Sequence, residues 1–442
     1  MRVFNFVLAT TGPTFTNLKI LSRYAFSAVR HMTPRKFINI VRVEWSRMRA
    51  KDRVGGFPYI LKIESTNVCN QRCPFCLDRD RSKIEDDGRG FGKMDLKSFQ
   101  QIIDLLGPTA LRLNLYGSGE PVLYPDIYDM IRYAADRNIG VTISANLSAF
   151  KPENAEKLVS SGLEHLIVSC HGASPETYDK YNVGGDFWRT TENMKAIVDA
   201  KKRLGKKLPF VDWQFLRFSH NQHELPKARK MAEEIGVNAI RFINPNIPPE
   251  HKEEWRPRRE DELTDPNSGE GAVQASPGAS IAIEDQAIAR GEQVAQNGQS
   301  PQADVQACSW LYRSMFFNWD GGILPCCDGT TEPSHDLGEW GTFVSGTRKE
   351  FGSFWNGDLY RYLRRVANFQ VPREEMDMTY TCSSCIKPHL PFILYERGFK
   401  LPKKTERQLL KTEPTLPEKR ERWMREGVTE SGHVAGDDRS GQ

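Results

Sequence analysis

The residues best suited to chemistry are three cysteines within eight positions, Cys69, Cys73 and Cys76. Their C-x3-C-x2-C spacing offers three thiolates to a [4Fe–4S] cluster, which has four iron corners and ordinarily takes four cysteine ligands. Three ligands leave one iron open to another molecule. A catalytic zinc has a similar open coordination position, where it binds water or substrate. Phe75, just before the last cysteine, places an aromatic ring beside such a cluster. A zinc site is the alternative, although zinc usually takes four ligands in two separated pairs.

This spacing, with an aromatic residue before the third cysteine, resembles the signature of the radical S-adenosylmethionine (SAM) enzymes. The resemblance implies that SAM chelates the open iron through its amino and carboxylate groups. One electron from the reduced cluster then cleaves the S–C5′ bond, and the resulting 5′-deoxyadenosyl radical takes a hydrogen atom from the substrate. The resemblance also implies an external one-electron donor such as flavodoxin or ferredoxin.

A loop containing Ser118, Gly119 and Glu120 follows the second predicted strand and resembles the "GGE" motif of the family. In that motif the backbone and the glutamate hold the amino group of SAM. A carboxylate suits an ammonium group, and glycine lets the backbone approach closely. Asn146 ends the third strand, where the family often has a Thr-Asn-Gly element, and we expect it to contact SAM as well.

Ser169 ends the fourth predicted strand, in a segment similar to the family's VS(I/L)DGASPETY sequence. The resemblance implies that its hydroxyl reaches the ribose or the carboxylate of SAM. His171 replaces the usual aspartate of this segment, so it is a candidate catalytic residue or a structural, capping histidine. Cys170 should point away from the side that Ser169 faces, because strand side chains alternate.

Residues 59–245 alternate strand patterns with amphipathic helix patterns, which indicates an α/β fold with a parallel sheet covered by helices. With the cysteine loop after the first strand, this looks like the partial (β/α)6 TIM-like barrel of radical SAM enzymes. In such barrels the chemistry lies at the carboxyl ends of the strands. The predicted strands cover residues 59–64, 111–116, 141–145, 165–169, 210–218 and 239–243.

A second set of cysteines lies later in the chain: Cys308, Cys326, Cys382 and Cys385. Their order, C-x12-G-x4-C followed by C-x2-C, resembles the SPASM/twitch extension of radical SAM enzymes, a small α+β iron–sulfur domain. The resemblance implies that these cysteines ligate one auxiliary [4Fe–4S] cluster, because no cysteine follows Cys385 for a second one. A structural zinc site with four cysteine ligands is the alternative.

Cys327 adjoins Cys326, so it either exchanges with it as a ligand or donates a hydrogen atom to the substrate. A thiol donor would give an epimerisation, whereas an auxiliary cluster that accepts an electron would give a dehydrogenation. We therefore expect oxidation or epimerisation of a carbohydrate, a lipid or another small metabolite. One alternative is a maturase that installs a radical crosslink or oxidation in a ribosomal peptide or protein. An alternative of a different class is a non-catalytic iron–sulfur or zinc-binding protein.

The start of the chain is basic, with eleven Lys or Arg in residues 1–53 against Glu44 and Asp52. Thr33 followed by Pro34 predicts the start of a helix. Apolar residues then recur at helical spacing: Phe37, Val41, Trp45 and Met48. Such helices either pack on the catalytic domain or make peripheral contact with a membrane, where they would meet a lipid-linked substrate.

The composition limits the other function classes. The net charge of +4 is too small to indicate a nucleic-acid partner, and no run of 18 apolar residues predicts a spanning helix. Nine cysteines grouped in tight motifs favour metal ligation over disulfides, which predicts a cytoplasmic protein.

The sequence predicts five segments, two of them without a core of their own. Residues 249–305 and 393–442 are rich in polar and small residues, so we expect a disordered linker and a poorly ordered tail. The other three are a basic amphipathic extension over 1–56, the radical SAM core over 57–248 and the auxiliary cluster domain over 306–392.

Overall fold

The computed structural model describes residues 15–76, 89–245, 247–248, 251–257, 308–326, 336–343, 346–377, 382, 389, 391–392, 395–396 and 401–426. Cys327, Cys385 and nearly all of the predicted linker lie outside these residues. The chain divides into one unit made of residues 1–279 and 309–364, and a second made of residues 280–308 and 365–442.

In the described residues, nine strands form a single sheet in the order β6-β5-β4-β3-β2-β1-β7-β8-β9. Strands β1 to β6 pair in parallel in chain order, β7 is parallel to β1, and β8 and β9 add antiparallel. The strands are β1 (Ile60–Ile63), β2 (Arg112–Asn114), β3 (Gly140–Ala145), β4 (His165–Ser169), β5 (Phe210–Leu216), β6 (Ala239–Ile243), β7 (Ser314–Phe317), β8 (Gly322–Leu324) and β9 (Gly338–Glu339).

The described helices of the first unit mostly alternate with its strands. They are α1 (Phe15–His31), α2 (Pro34–Met48), α3 (Leu96–Leu106), α4 (Ile127–Asp136), α5 (Ala155–Ser160), α6 (Pro175–Tyr181), α7 (Phe187–Arg203), α8 (Leu225–Ile235), α9 (Lys252–Trp255), α10 (Trp310–Arg313), α11 (Arg348–Trp355) and α12 (Asp358–Ala367), the last running into the second unit. This alternation confirms the predicted α/β fold with its partial (β/α)6 barrel.

Local capping explains where several helices begin. Thr33 accepts a hydrogen bond from the Lys36 amide at 3.3 Å, so α2 starts at Pro34 as the sequence predicts. Asp186 accepts one from the Arg189 amide at 3.0 Å. Helix α7 therefore starts at Phe187, directly after this cap.

The two faces of the six parallel strands differ in polarity. The outer face is apolar and packs under the helices, with Leu61, Leu113, Val141, Leu166 and Val211 fully buried. The register aligns a second, mostly polar set of side chains on the inner face: Lys62, Arg112, Asn114, Thr142, Ser144, His165, Ser169, Asp212, Gln214 and Arg241. The barrel therefore presents polar groups to whatever it encloses.

Helix α1 packs on the barrel through its polar side. Arg23, Ser27 and His31 are buried at four-residue intervals, while Phe26 and Val29 are 56% and 78% exposed. The His31 imidazole contacts a Glu164 carboxylate oxygen at 2.7 Å, at the start of β4. The helix therefore covers the amino-terminal end of the strands with hydrogen-bonding groups rather than with apolar ones.

Helix α2 is oriented in the same way. Glu44 is buried and receives two hydrogen bonds from the Arg313 guanidinium, at 2.6 and 2.7 Å. Asn39 is buried and exchanges two hydrogen bonds with the backbone of Phe57. Trp45, by contrast, is 50% exposed. The helix packs on the rest of the first unit through these polar residues, and most of its apolar side chains face outward.

The end of the described chain differs from the poorly ordered tail that the sequence predicted. Helices α13 (Lys403–Thr412) and α14 (Leu416–Glu426) form in the second unit. Leu409 and Leu416 are fully buried, and Glu413 pairs with Arg373 at 3.1 Å. Charge density misled the prediction, because three leucines of this segment, Leu401, Leu409 and Leu416, are buried all the same.

Candidate active site

The cysteine loop begins six residues after β1, at the carboxyl end of that strand. Cys69 and Cys73 are half-buried and Cys76 is exposed. Burial raises the pKa of the Cys73 thiol, and the neighbouring Cys76 and Cys69 sulfurs raise it further. The structure thus disfavours the Cys73 thiolate unless cationic iron is present.

In the described part of the chain, no three His, Cys, Asp or Glu side chains converge as the ligands of one metal ion would. A cluster differs from a single ion, because each cysteine binds its own iron corner. The cysteine loop therefore suits a cluster even though its sulfurs do not converge on the position of a single metal ion.

Phe75 packs into an apolar cluster beside the cysteine loop. Its ring lies 4.9 Å from that of Trp255, 6.1 Å from Tyr181 and 6.2 Å from Phe218. Cys73 packs against the same cluster. These rings form an apolar wall that would shield a cluster from water on this side.

Gly119 lies directly against the segment that leads into the cysteines. A Cβ atom on Gly119 would collide with the Thr66 carbonyl oxygen. The Glu120 amide donates to the Val68 carbonyl oxygen at 2.9 Å, and the Ser118 amide donates to Glu64 at 2.8 Å. The "GGE"-like loop is thus fixed beside the cysteine loop by backbone contacts that only a residue without a side chain permits.

Glu120 is buried, and one of its carboxylate oxygens has no hydrogen-bond partner in the described residues. Its Oε2 accepts the Asn146 amide at 2.7 Å, whereas Oε1 is unpaired. Burial raises the pKa of Glu120 to about 8, although two backbone amides, those of Asn146 and Val122, lower it. An unpaired buried carboxylate oxygen fits a cationic donor, and the ammonium group of SAM is one.

Asn146 connects this carboxylate to the cysteine loop. Its side-chain amide donates to Asn70 Oδ1 at 3.0 Å and lies 3.9 Å from the Cys69 sulfur. Ser169 lies one strand further on, with its hydroxyl 3.3 Å from that of Ser144. The structure therefore gathers the predicted SAM-contacting residues at the carboxyl ends of β2, β3 and β4.

His171 follows the end of β4 and is buried, with its ring 5.2 Å from that of Tyr181. Its Nδ1 accepts the Leu216 amide at 3.1 Å, and burial lowers the pKa of the imidazole to about 3. The ring is thus neutral and holds the end of β5. Cys170 is fully buried, with its sulfur 3.6 Å from the Gly172 carbonyl oxygen.

Three of the predicted auxiliary ligands fall in described residues, and each is half-buried. Cys326 follows β8 in the first unit, whereas Cys308 and Cys382 belong to the second unit. The hairpin before Cys326 is held by Arg89, whose guanidinium pairs with Asp320 at 2.5 Å and with Asp336 at 2.8 Å. This bridge links the segment after the cysteine loop to the β7–β8 hairpin.

Sequence reasoning missed several residues that shape the site. Gln71, inside the cysteine motif, donates to the Tyr178 hydroxyl at 3.0 Å and accepts from Asn182 at 3.0 Å. Glu64 and Arg89 also act by contacting residues far away in sequence. Of these residues, only Gln71 could have been singled out from the sequence, because it lies between Cys69 and Cys73.

Two segments of the chain match known protein families. Residues 63–207 match the radical SAM superfamily, and residues 308–386 match an iron–sulfur cluster-binding domain, SPASM. Both matches include the cysteines described above.

The relatives share only part of their length with this chain. An AdoMet-dependent heme synthase of Methanosarcina barkeri is 27% identical over 41% of this chain and 49% of its own. A mycofactocin maturase, MftC, of Mycobacterium ulcerans is 32% identical over 33% of this chain and 39% of its own. The chain therefore spans about half or less of the length of these relatives.

Solved structures give similar but distant matches. AdoMet-bound anSMEcpe is 14% identical with a TM-score of 0.46, covering 83% of this chain and 100% of that one. Streptococcus suis SuiB bound to its precursor peptide SuiA is 15% identical with a TM-score of 0.46, covering 74% of this chain and 70% of that one.

Proposed function

Because the chain belongs to the radical SAM superfamily and carries a SPASM domain, we propose that it is an enzyme that cleaves SAM reductively to take a hydrogen atom from a substrate. The two matches confirm the predicted cofactors: SAM and a [4Fe–4S] cluster in the first domain, and an auxiliary iron–sulfur cluster in the second. When bound, the first cluster supplies the electron that breaks the S–C5′ bond of SAM.

The observation that carries this proposal is the unpaired Glu120 Oε1 beside the cysteine loop. In the proposed site Cys69, Cys73 and Cys76 hold the cluster, and Gly119 with Glu120 receives the SAM amino group. Further contacts to SAM come from Phe75, Ser118, Asn146 and Ser169. Cys308, Cys326, Cys382 and Cys385 are the proposed ligands of the auxiliary cluster.

The proposed reaction is the dehydrogenation or epimerisation of a carbohydrate, a lipid or another small metabolite, in the cytoplasm and with flavodoxin or ferredoxin as donor. Dehydrogenation needs the auxiliary cluster to accept the second electron, whereas epimerisation needs a hydrogen-atom donor, for which Cys327 is the candidate. His171 would act only through the backbone it positions. The second candidate function is peptide maturation, which the partial similarity to a mycofactocin maturase favours.

The test is anaerobic reconstitution of the protein followed by iron and sulfide analysis. Dithionite and SAM are then added to the reconstituted protein. We expect two clusters per chain and formation of 5′-deoxyadenosine and methionine. Clusters that leave SAM intact would instead support a non-catalytic iron–sulfur protein, and zinc in the cysteine loop would overturn the proposal.

The outward apolar sides of α1 and α2 support the proposed contact with a membrane. These helices expose large apolar side chains: Phe26, Val29, Met32, Phe37, Ile38, Val41, Trp45 and Met48. The exposed charged side chains between residues 22 and 49 all belong to arginines, Arg30, Arg35, Arg42 and Arg49. Two copies of this surface would repel each other, whereas an anionic bilayer complements both features.

A groove beside α2 extends the cationic surface. It lies between α2 and α11, and its lining includes Trp45 and four cations, Arg42, Lys51, Arg53 and Lys349, against one carboxylate, Asp358. A fifth cation, Arg361, pairs with Asp52 and Asp358. Lipid phosphates would meet cations here while the apolar side chains enter the headgroup region. None of the helices in the described residues is long and apolar enough to cross a bilayer, so the contact proposed is peripheral.

Vesicle flotation tests this contact. We expect the protein to float with vesicles of phosphatidylcholine and phosphatidylglycerol but not with phosphatidylcholine alone. The substitution Trp45→Asp should reduce the floated fraction about tenfold, the effect of about 1.4 kcal/mol. Trp188→Asp, at a 61% exposed tryptophan outside α1 and α2, is the matched control. Protein that stays in the soluble fraction on anionic vesicles would count against the contact.

A further inference from the structure

The inner face of the barrel carries more positive than negative charge. Lys62, Arg112 and Arg241 lie on it, whereas Asp212 is its acidic residue. Asp212 is fully buried and pairs with Arg241 at 2.7 Å, which neutralises that cation. Lys62 and Arg112 are left without a counter-charge from this face.

The contacts of these two cations are aromatic. The Lys62 ammonium lies 4.9 Å from the Phe316 ring and 5.4 Å from the Tyr116 ring. The Arg112 guanidinium lies 4.3 Å from the Tyr24 ring, which α1 places at the barrel base. Neither side chain forms a hydrogen bond or ion pair with a residue that the structure describes. Ring faces stabilise a cation without neutralising it, so both can still bind an anion.

A third cation, Arg23 of α1, lies at the same place. It is 5% exposed, its guanidinium stacks 3.9 Å from the Tyr24 ring, and its side-chain nitrogens have no hydrogen-bond partner in the described residues. The nearest carboxylate, Glu164, is 3.9 Å away and is already bonded to His31. Buried guanidinium groups are ordinarily hydrogen-bonded, so Arg23 lacks an acceptor that the described residues do not supply.

The pKa of Tyr24 also indicates an excess of positive charge at the base of the barrel. Burial by itself would raise the pKa of its phenol. The pKa is nevertheless lowered, because the positive charges of Arg23, Arg112 and Arg241 favour the phenolate. The base of the barrel therefore has a positive potential that favours negative charge.

We propose that the substrate carries an anionic group, a phosphate or a carboxylate, which binds inside the barrel to Arg112 and Lys62. This inference rests on the proposed function. In the parallel register Lys62 aligns with Thr142, which comes two residues before Ser144 on β3, and Arg112 aligns with Gly140, which comes four residues before it. Two residues of a strand span about 7 Å, so the anion would lie roughly 7–13 Å from the SAM-contacting edge, towards the amino-terminal ends of the strands.

That distance suits a small metabolite held at one end by its anion and presented for hydrogen abstraction at the other. Helix α1 covers the amino-terminal end of the strands, so the substrate enters from the carboxyl ends. The position of the anion would then fix which carbon reaches the SAM site.

Equilibrium dialysis of the reconstituted holoenzyme tests the inference, with radiolabelled pyrophosphate in one arm and succinate in the other. We expect saturable binding of at least one probe, weakened about tenfold or more by Lys62→Gln and by Arg112→Gln. Arg112→Lys, which keeps the charge, should retain more binding than Arg112→Gln. Lys230→Gln, at an exposed lysine on α8, is the control and should bind as the wild type does.

Two results would overturn the inference: no saturable binding of either probe, or binding that the Lys62 and Arg112 substitutions leave unchanged. Cluster content and SAM cleavage are measured on the same wild-type samples. A protein that cleaves SAM but binds neither anion contradicts this inference alone. A protein that cannot cleave SAM contradicts the proposed function instead, whatever it binds.

Discussion

The Asn146 backbone amide donates to Glu120 Oε2 at 2.7 Å and fixes the carboxylate so that its other oxygen stays unpaired beside the cysteine loop. The contact joins the end of β3 to the loop after β2. It holds the carboxyl group in place before a ligand arrives, and such preorganisation saves the cost of ordering the side chain on binding. A cationic ligand beside Oε1 would favour the ionised form of the group.

Glu120→Gln should therefore weaken SAM binding more than it weakens the fold. The change keeps the shape but removes the charge, and a hydrogen bond to a charged group contributes about 1.5–3 kcal/mol, or roughly 10–100-fold in affinity. Anaerobic calorimetry with SAM measures the loss. Glu192→Gln, at an exposed glutamate on α7, should bind as the wild type does. Equal affinity in the Glu120 variant would remove this residue from the site.

Gly119→Ala should lower both SAM affinity and stability, because the new Cβ collides with the Thr66 carbonyl oxygen. The loop must move away from the cysteine segment, so we expect at least a tenfold weaker SAM affinity and a lower melting temperature. Gly341→Ala is the control, since a Cβ there meets nothing within 4 Å. Thermal melting and SAM titration of both variants decide the matter.

Cys73→Ala should abolish SAM cleavage and lower the iron content by about one [4Fe–4S] cluster, leaving the auxiliary cluster in place. The comparison is Cys170→Ala, which removes a fully buried thiol that lies on the other face of its strand from Ser169. That variant should keep its iron and its 5′-deoxyadenosine production. Iron and sulfide assays with product chromatography separate the two, and full iron in Cys73→Ala would refute its role as a ligand.

Cys382→Ala should leave some SAM cleavage uncoupled from substrate while blocking turnover of the true substrate. The reason is that its proposed cluster acts after the hydrogen atom has been taken. The ratio of 5′-deoxyadenosine to product, measured by chromatography, should rise strongly. Unchanged product formation would mean that the second cluster has another role.

Stability should fall as the pH is lowered, because His165 is buried without a proton. Burial lowers the pKa of its imidazole to about 4, although Asp212 opposes the shift. The unfolded value is about 6.5, so between these values only the unfolded chain binds the proton. Acidification through this range thus costs up to about 1.4 kcal/mol per pH unit for this residue.

Urea denaturation between about pH 7.5 and 5 measures that slope. His165→Gln should flatten the dependence, whereas His223→Gln, at an exposed position, should keep the wild-type slope. A wild-type slope in the His165 variant would assign the acid sensitivity to other groups.

The sequence predicted the order of the barrel elements well. Strands β4 and β6 begin and end at the predicted residues, because each is a short, mostly apolar run of the kind that the pattern identifies. The cysteine spacing likewise identified the candidate cluster loop, since ligands from one short loop must be close in sequence.

The orientation of the N-terminal helices could not be predicted. Periodicity identifies an apolar side, but it does not say whether that side meets protein or solvent. The deciding contacts are between residues far apart in sequence, such as His31 with Glu164 and Glu44 with Arg313. The same holds for Arg23 and Arg112, whose meeting around Tyr24 depends on the packing of α1 under the barrel.

The orientation of α1 and α2 also bears on how the protein should be handled. Their exposed apolar sides will adsorb to hydrophobic surfaces and matrices during purification, and truncating the chain is the wrong remedy. Deleting the pair would remove His31 and Glu44, the hydrogen-bond partners of Glu164 and Arg313, and would uncover the amino-terminal end of the barrel. A mild non-ionic detergent covers the exposed apolar side chains and leaves both helices in place, so it is the treatment that follows from their orientation.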